Sequence, residues 1–275
     1  MTPLPPLKDV IARYGVDAKK SLGQHFLLDG NVTAKIARIN GSLSALNVIE
    51  IGPGPGGLTR ALLEAGAKHV HAIEKDARCV AALAELQKAY PQLHVIEADA
   101  LAVDLPQRTP APRAVIANLP YNIGTALLLQ WLKEIAENPQ CYAFLTLMFQ
   151  KEVAERIAAA PGGKAYGRLS VLAQWLCRVQ PAFDLPPGAF SPPPKIHSSV
   201  IVLTPRPEPL SPAARPMLEK VLAAGFGQRR KMLRASLRPL GGEALLTAAG
   251  IDPQRRPEQL SVEEWCRLAA MVKNI

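Results

Sequence analysis

Five short runs of almost uninterrupted apolar residues recur in the first half of the chain, with stretches of helical periodicity between them. The runs are LNVIEI (46–51), HVHAIE (69–74), LHVIEA (93–98), RAVIAN (113–118) and YAFLTLMF (142–149). Strands that are apolar at nearly every position are typical of a parallel sheet that helices cover on both faces. The pattern from about Leu46 to Thr204 therefore predicts an α/β fold built on a doubly wound sheet.

The stretches between and after these runs support the same prediction. LTRALLEAG closes with Gly66, and ARCVAALAELQKAY stops before Pro91, as expected where glycine or proline ends a helix. VQPAFDL and SSVIVLTP follow as a later pair of strands, joined by the proline-rich segment PPGAFSPPPK. A long, stiff connection of this kind is either a spacer or a functional edge of the sheet.

After Thr204 the pattern changes. The segment PRPEPLSP is typical of a linker, and beyond it only helical periodicity remains. In the final stretch, SVEEWCRLAAMVKNI, Ser261 and Glu264 form a predicted capping box. The apolar face of that helix comprises Trp265, Leu268, Ala269 and Val272. We predict an α/β domain over residues 1–205 and a small all-helical domain over residues 206–275.

Composition and charge narrow the class of protein. The chain has 275 residues and a formal net charge of +9. This charge is typical of a protein that binds a polyanion, and it is equally compatible with a basic enzyme that does not. The longest apolar run is too short to cross a bilayer, and the N-terminus MTPLPPLKDV lacks the pattern of a secretory signal. We therefore expect a soluble cytoplasmic protein with no membrane association. The four cysteines show no CxxC or mixed His/Cys spacing, so neither a metal site nor a disulfide framework is predicted.

The first apolar run leads directly into a glycine-rich turn, EIGPGPGG (50–57), and then into a helix. Gly52, Gly54 and Gly56 let the backbone approach a ligand where a side chain would clash. Glu74 ends the next strand, 22 residues after Gly52. At that spacing an acidic side chain accepts hydrogen bonds from a ribose diol.

Two kinds of cofactor fit this turn. Gly52, Gly54 and Gly57 satisfy the GxGxxG pattern of NAD-binding proteins. Gly52, Gly54 and Gly56 satisfy GxGxG preceded by an acid, here Glu50, which suits a nucleoside that carries no pyrophosphate. Asp99, in EADA after the third strand, is a candidate contact for the adenine amine of the cofactor, and it is equally compatible with a plain turn residue.

The tetrapeptide Asn118-Leu119-Pro120-Tyr121 follows the fourth strand, at the edge where doubly wound sheets place their active sites. An exocyclic aromatic amine is a poor nucleophile because its lone pair is delocalised into the ring. If the Asn118 side-chain oxygen and the Leu119 carbonyl accept its two N–H bonds, the charge that develops on nitrogen is stabilised. Pro120 stiffens the turn, and Tyr121 offers a flat face on which a base can stack. Since a dehydrogenase has no use for this element, methyl transfer is the favoured chemistry.

A basic stretch in the helical domain, GQRRKMLRASLR, indicates a nucleic-acid partner. On a continuous helix, Arg230, Arg234 and Arg238 would lie on one face, with Leu233 and Leu237 on another. Such a face suits phosphate contacts rather than base reading, although a solvated charged face is the alternative. The candidate phosphate contacts are Arg229, Arg230, Lys231, Arg234 and Arg238.

Together these residues resemble the ribosomal RNA adenine N6,N6-dimethyltransferase family over nearly the whole chain, most specifically its bacterial small-subunit members. The segments that carry the resemblance are KKSLGQHFL (19–27), EIGPGPGGLT (50–59), Glu74, Asp99, NLPYNI (118–123) and FSPPPK (190–195). The resemblance implies a Rossmann-like class I methyltransferase sheet. It also implies S-adenosylmethionine as cofactor, S-adenosylhomocysteine as product, and no metal.

The resemblance also implies roles for individual residues. The cofactor contacts would be His25, Leu27, Gly52, Glu74, Asp99 and Asn118. The family often has asparagine where this chain has His25, and histidine still donates a hydrogen bond. Phe190 would stack on the target adenine opposite Tyr121. Independently of the resemblance, the position of Lys19 and Lys20 near the expected active-site edge makes them candidates for a second phosphate contact.

The implied substrate is two adjacent adenosines in a hairpin loop near the 3′ end of 16S ribosomal RNA, within the assembling 30S subunit. An adenine inside a duplex hides its N6, so a target adenine must lie in a loop or be flipped out of the duplex. Alternatives are the related large-subunit enzyme that confers macrolide resistance, a non-catalytic assembly or transcription factor, and a small-molecule N-methyltransferase. With no exposed apolar repeat that would require a dimer, a monomer is expected.

Overall fold

The computed structural model describes residues 4–16 and 24–272. Its strands are β1 (Phe26–Leu27), β2 (Asn47–Ile51), β3 (His69–Glu74), β4 (Leu93–Glu97), β5 (Arg113–Asn118), β6 (Leu145–Gln150), β7 (Cys177–Leu185), β8 (Phe190–Ser191) and β9 (Ser198–Pro205). Its helices are α1 (Leu7–Tyr14), α2 (Gly30–Arg38), α3 (Gly57–Glu64), α4 (Ala77–Ala89), α5 (Leu105–Arg108), α6 (Gly124–Glu137), α7 (Lys151–Ala158), α8 (Arg168–Leu176), α9 (Arg215–Gly227), α10 (Leu233–Ser236), α11 (Gly242–Ala248) and α12 (Val262–Met271).

Seven of these strands form one twisted sheet in the order β4-β3-β2-β5-β6-β9-β7. Strands β2 to β6 pair in parallel, while β9 is antiparallel to both β6 and β7. The five apolar runs are thus confirmed as neighbouring parallel strands, and the later pair as strands of the same sheet. The order reverses between β2 and β5, so a crevice opens at their carboxyl ends.

The helices cover the two faces of the sheet in separate apolar clusters. The cluster on one face includes Trp131 of α6 and Trp175 of α8, and that on the other includes Leu62 of α3 and Ile36 of α2. The two edge strands, β4 and β7, are exceptions to full burial, since most of their side chains are partly or fully exposed. All four cysteines are buried.

The part of the chain after β9 is helical, as predicted. Ser261 and Glu264 form the predicted capping box: the Ser261 hydroxyl accepts from the Glu264 N–H at 3.2 Å, and the Glu264 carboxylate accepts from the Ser261 N–H at 2.8 Å. The predicted apolar face of α12 is buried, and Trp265 packs closely against Gly225 of α9. Its apolar residues belong to the same cluster as those of α6 and α8.

The predicted single helix through the basic stretch is wrong. Helix α9 ends at Gly227, α10 covers only Leu233–Ser236, and Arg238 begins a 3₁₀ turn. The backbone is diverted because the N–H of Leu233 donates to Arg255 O at 2.8 Å, and that of Arg234 to Pro253 O at 3.1 Å. Arg230, Arg234 and Arg238 therefore do not line up on one helical face.

Membrane-spanning helices and clustered metal ligands are both absent from the described part of the chain. Among residues 4–16 and 24–272, none of the helices has the length and apolar character required to cross a bilayer. Over the same ranges, no group of three or more His, Cys, Asp or Glu side chains is arranged to hold a metal ion.

Candidate functional site

A pocket opens at the carboxyl ends of β2, β3, β4 and β5. Its walls are formed by residues 24–27, 50–55, 57–58, 73–75, 98–100 and 118–123. Every residue predicted to contact the cofactor lies in these walls, together with Leu119, Pro120 and Tyr121. The sheet therefore brings five separate sequence segments to one place, as expected where a doubly wound sheet changes its strand order.

The glycine turn forms the floor of the pocket. Gly52, Gly54 and Gly56 all have positive φ, at 63°, 57° and 93°, a conformation that a residue with a Cβ adopts only under strain. At Gly54 space is also short, since a Cβ would lie 2.7 Å from the ring of Phe26. The turn is thus built to hold the segment around β1 directly against its backbone.

The Glu74 carboxylate fastens this turn to the end of β3. It accepts the N–H of Gly54 at 3.1 Å and those of Lys75 and Asp76 at 2.7 Å and 2.8 Å. Its side chain is buried, and burial raises the pKa of the Glu74 carboxyl while the backbone N–H groups oppose the rise. Oε1 accepts two of these bonds and Oε2 one, so with two lone pairs on each oxygen Oε2 can still accept one hydrogen bond from a ligand.

Glu50 is a second acid in the pocket wall and is only 2% exposed. The Thr59 hydroxyl donates to it at 2.6 Å. Burial raises the pKa of Glu50 to about 8, and the neighbouring charge of Glu74 adds to the rise. The carboxyl is therefore mostly protonated at neutral pH in the free protein.

Asp99 stands at the outer rim, where its carboxylate pairs with the Lys75 ammonium at 2.7 Å. The hydrogen bond from Lys75, followed by one from the N–H of Leu101, lowers the pKa of Asp99. Lys75 was not recognised in the sequence, although its position directly after Glu74 would have been a signal. Among the described residues of the pocket wall, no other lysine or arginine is present.

Asn118 ends β5 with its amide in a defined orientation. Its Nδ2 donates to the backbone oxygen of His25 at 2.9 Å, which leaves Oδ1 as the acceptor on the other side of the carboxamide. The neighbouring Leu119 side chain is buried. The carbonyl of Pro120 accepts from the N–H of Ile123 at 3.2 Å and of Gly124 at 3.0 Å, which begins α6. Within residues 4–16 and 24–272, no backbone N–H donates to the Leu119 carbonyl.

Tyr121 is half-buried beside the asparagine. Its hydroxyl lies 2.6 Å from the Ser198 hydroxyl at the start of β9, and its ring centroid is 5.3 Å from that of His25. Burial raises the pKa of the Tyr121 phenol, and the hydrogen bond with Ser198 opposes the rise. Ser198 was not recognised in the sequence, where it is one serine of an ordinary strand.

His25 joins the N-terminal segment to the proline-rich connection. Its ring Nδ1 lies 2.8 Å from the backbone oxygen of Pro192. Since a carbonyl only accepts, Nδ1 carries the proton and Nε2 is free to accept when the ring is neutral. Leu27, two residues on, pairs with Phe190 in the two-stranded sheet of β1 and β8.

Phe190, which the resemblance assigns to stacking on the target adenine, is buried away from the pocket. It is only 5% exposed, belongs to the apolar cluster on the α3 face, and does not line the pocket wall described above. The reason is the pairing of β8 with β1, which turns the Phe190 side chain inward and leaves the next residue, Ser191, exposed.

The basic residues of the helical part lie outside the pocket. Arg230, Lys231, Arg234 and Arg238 are exposed. Arg229 is partly buried and lies 3.6 Å from the Glu258 carboxylate, which reduces its value as a phosphate contact. Lys19 and Lys20 fall outside the described residues.

Comparisons with known proteins agree with this geometry. The family described as "Ribosomal RNA adenine dimethylase" matches residues 15–274. A protein of Sinorhizobium medicae named "Ribosomal RNA small subunit methyltransferase A" is 60% identical over 97% of both chains. A protein of Rhodospirillum rubrum with the same name is 56% identical over 98% of this chain and 93% of its own.

Solved structures give the same result. A dimethyladenosine transferase from Plasmodium falciparum superposes with a TM-score of 0.74 at 27% identity, covering 89% of this chain and 96% of that chain. The 23S rRNA methyltransferase ErmE has a TM-score of 0.68 at 28% identity, covering 90% and 99%. The predicted class I methyltransferase fold is confirmed. Since the family match and the curated relatives both span nearly the whole sequence, the protein belongs to the ribosomal RNA adenine dimethylase family.

Proposed function

We propose that the protein transfers methyl groups from S-adenosylmethionine to the N6 amines of two adjacent adenosines in 16S ribosomal RNA. The observation that carries the proposal is the orientation of the Asn118 amide. Its N–H bond to the His25 carbonyl leaves Oδ1 as an acceptor in the wall of the pocket. The exocyclic amine of a target adenine needs a hydrogen-bond acceptor of this kind beside the bound cofactor.

The pocket fits S-adenosylmethionine better than the NAD that the glycine pattern left open. Its wall holds the carboxyl groups of Glu50, Glu74 and Asp99 and the ammonium of Lys75, which is paired with Asp99. Glu50 is mostly protonated and Asp99 is paired with Lys75, so Glu74 is the acid whose charge no cation in the described pocket wall balances. That charge would repel a pyrophosphate, whereas it attracts a cationic ligand. Glu74 would hold the ribose diol, Asp99 the adenine amine, and His25, Leu27 and Gly52 the remaining surface.

When bound, the cofactor supplies an electrophilic methyl group on a sulfonium. The residues of this chain prepare the nucleophile. Asn118 Oδ1 and the Leu119 carbonyl accept the two N6–H bonds, which favours a pyramidal nitrogen whose lone pair is directed out of the ring. The ammonium that forms on N6 is acidic and loses its proton to water, so no strong base is required.

Tyr121 would support the purine from one face. Phe190, proposed as its counterpart on the other face, is buried under β8, so it would reach a base only after β8 separates from β1. The stacking role of Tyr121 therefore rests on its half-exposed position in the pocket wall, and that of Phe190 on the resemblance alone.

The substrate assignment follows the relatives. The curated proteins at 56–60% identity are named for the small subunit, whereas the large-subunit enzyme ErmE is 28% identical. We place the two adenosines in a hairpin loop near the 3′ end of 16S ribosomal RNA, in the assembling 30S subunit. Four cofactor molecules would be consumed and four of S-adenosylhomocysteine released.

The helical part, residues 206–275, would hold the RNA while residues 1–205 carry the chemistry. Arg230, Lys231, Arg234 and Arg238 would contact phosphates from separate turns rather than from one helix. Lys19 and Lys20 would add contacts near the pocket. We expect the protein to act as a monomer in the cytoplasm, where ribosomal subunits assemble.

The test uses under-methylated 30S particles and labelled S-adenosylmethionine, with the methylated positions mapped by primer extension. The expected result is label on two adjacent adenosines near the 3′ end of 16S ribosomal RNA, and almost none with the Asn118→Ala variant. Label on 23S ribosomal RNA, or no label with the unaltered protein, would overturn the proposal.

A further inference from the structure

Tyr121 is restrained on two sides, by Ser198 and by His25, and the proposed chemistry gives Ser198 no part. The Ser198 hydroxyl lies 2.6 Å from the Tyr121 hydroxyl. The His25 ring lies 5.3 Å away, centroid to centroid, at an interplanar angle of 31°. These two contacts act at different places on the phenol, one at its tip and one along its face.

The two contacts restrict different motions. The hydroxyl of a tyrosine lies on the axis about which the ring rotates, so a hydrogen bond at that point fixes the direction of the axis and not the rotation. A neighbouring ring limits the rotation because the two rings would collide. Together they leave the phenol one plane, which a platform for a base requires since stacking depends on ring orientation.

Ser198 is itself rigid. It is fully buried at the first position of β9, where it pairs with Gln150 of β6 and Leu185 of β7. The adjacent Ser199 points to the opposite face of the sheet, where its hydroxyl donates to Asp184 at 2.6 Å. Of the two serines, Ser198 is therefore the one that reaches Tyr121.

The His25 ring is fixed by the same stretch of chain. Its Nδ1–H donates to Pro192 O at 2.8 Å, and Pro192 and Ser198 are the two ends of the connection that leads from β8 to β9. One connection thus sets both restraints on Tyr121. The backbone of His25 in turn orients Asn118, so the platform and the amine acceptor are positioned by the same residue.

We propose that Ser198 is a positioning residue of this enzyme: its hydroxyl fixes the axis of the Tyr121 ring, so that contact with His25 leaves the ring one plane and the target adenine stacks with N6 at the Asn118 acceptor. The inference rests on the proposed function for the role of Tyr121 as the platform. Ser198 does not touch the base; it acts through the phenol.

The first test examines the free protein and needs no RNA. The five histidines are labelled with ¹³C at the ring, and the His25 signal is assigned by its disappearance in His25→Asn. Because the ring current of Tyr121 shifts this signal, Ser198→Ala should move it in the same direction as Tyr121→Leu does. Ser199→Ala, which also removes a buried β9 hydroxyl, should leave the signal in place.

The second test measures transfer to 30S particles. Ser198→Ala should lower kcat roughly tenfold, because a misplaced reactive amine lowers the rate of the chemical step, with the Kd of the cofactor unchanged. Tyr121→Phe, which removes the other hydroxyl, should lower kcat by a similar factor. The double variant should be no slower than either single variant, since both changes break the same hydrogen bond.

The outcomes separate the two claims. An unmoved His25 signal in Ser198→Ala overturns the inference and leaves the proposed function standing. A moved signal with unchanged kcat overturns the platform role of Tyr121, and the inference with it. A moved signal, a lower kcat, and no additional decrease in the double variant support the inference.

Discussion

The carboxamide of Asn118 donates to the backbone oxygen of His25 across 2.9 Å, which joins two residues 93 positions apart in the chain. A carboxamide has a donor end and an acceptor end, and the His25 carbonyl can bind only the donor end. The N-terminal segment therefore determines which end of Asn118 faces the pocket. In the proposed mechanism this orientation matters, because the Asn118 NH2 group would repel the N6–H of an adenine, whereas Oδ1 accepts it.

Replacing Asn118 with alanine should reduce the rate of methyl transfer about 10²- to 10³-fold, as expected when an acceptor that stabilises developing charge is removed. Cofactor affinity should stay nearly unchanged, since Glu74 and the glycine turn remain. Single-turnover transfer and isothermal titration with S-adenosylmethionine measure the two quantities separately. If affinity fell in step with rate, Asn118 would be a cofactor residue first.

Gly54→Ala should both destabilise the protein and weaken cofactor binding. Gly54 has φ +57°, and a Cβ added there would lie 2.7 Å from the Phe26 ring. It would therefore displace the N-terminal segment, in which the His25 carbonyl holds Asn118. Gly66→Ala is the matched control, because Gly66 has φ +80° with nothing within 4 Å. Each variant carries backbone strain of about 1–3 kcal/mol, and only Gly54→Ala should also show reduced cofactor affinity. Equal affinity in the two variants would contradict the steric argument.

The ionisation of Glu50 should appear in the pH dependence of stability. Its carboxyl has a pKa of about 8 in the folded protein against an ordinary value of 4.5. The unfolded chain therefore releases this proton first, and the free energy of unfolding falls as pH rises from 4.5 to 8.

In the Glu50→Gln variant the side chain cannot ionise, and its oxygen can still accept the hydrogen bond from the Thr59 hydroxyl. Relative to the unaltered protein it should gain stability between pH 5 and pH 8, by a few kcal/mol at most. Urea unfolding of both proteins at the two pH values measures this gain. A difference that does not change with pH would show that Glu50 is already ionised in the folded state.

Neutralising Arg230 and Arg234 together should weaken RNA binding and make it less sensitive to salt. Both side chains are exposed, and the removal of each phosphate contact should reduce the slope of log K against log salt by roughly 0.7–0.9. Arg215→Gln is the control, because Arg215 is paired with Glu219 at 2.7 Å in α9. A salt slope that stays the same in the double variant would exclude these arginines from the interface.

Much of the α/β architecture and the pocket could be predicted from local sequence. The apolar runs fix strands that are buried on both faces, because only that environment tolerates them. The glycine turn and the tetrapeptide at 118–121 lie at strand ends, and parallel strands bring those ends to one edge. Local sequence therefore predicts that Glu74, Asp99 and Asn118 face one ligand, and all three line the same pocket.

The prediction of a basic face on one helix was wrong because it could not take account of backbone hydrogen bonds to a distant part of the chain. Periodicity in GQRRKMLRASLR predicts one helix, but backbone bonds from Leu233 and Arg234 to residues near 253–255 redirect the chain. The burial of Phe190 likewise could not be predicted, because its partner strand, β1, is two residues long and has no sequence signature of its own.

Patterns within a few residues are enough to predict the sheet, the positions of the chemical groups along its edge and the family to which they belong. The orientation of these groups, in contrast, depends on contacts between distant parts of the chain. The bonds of Asn118 to His25 and of Tyr121 to Ser198 span 93 and 77 residues, and they exist because β1 meets β8 and β9 enters the sheet beside β6. Such contacts depend on the packing of the whole chain, which no local pattern encodes.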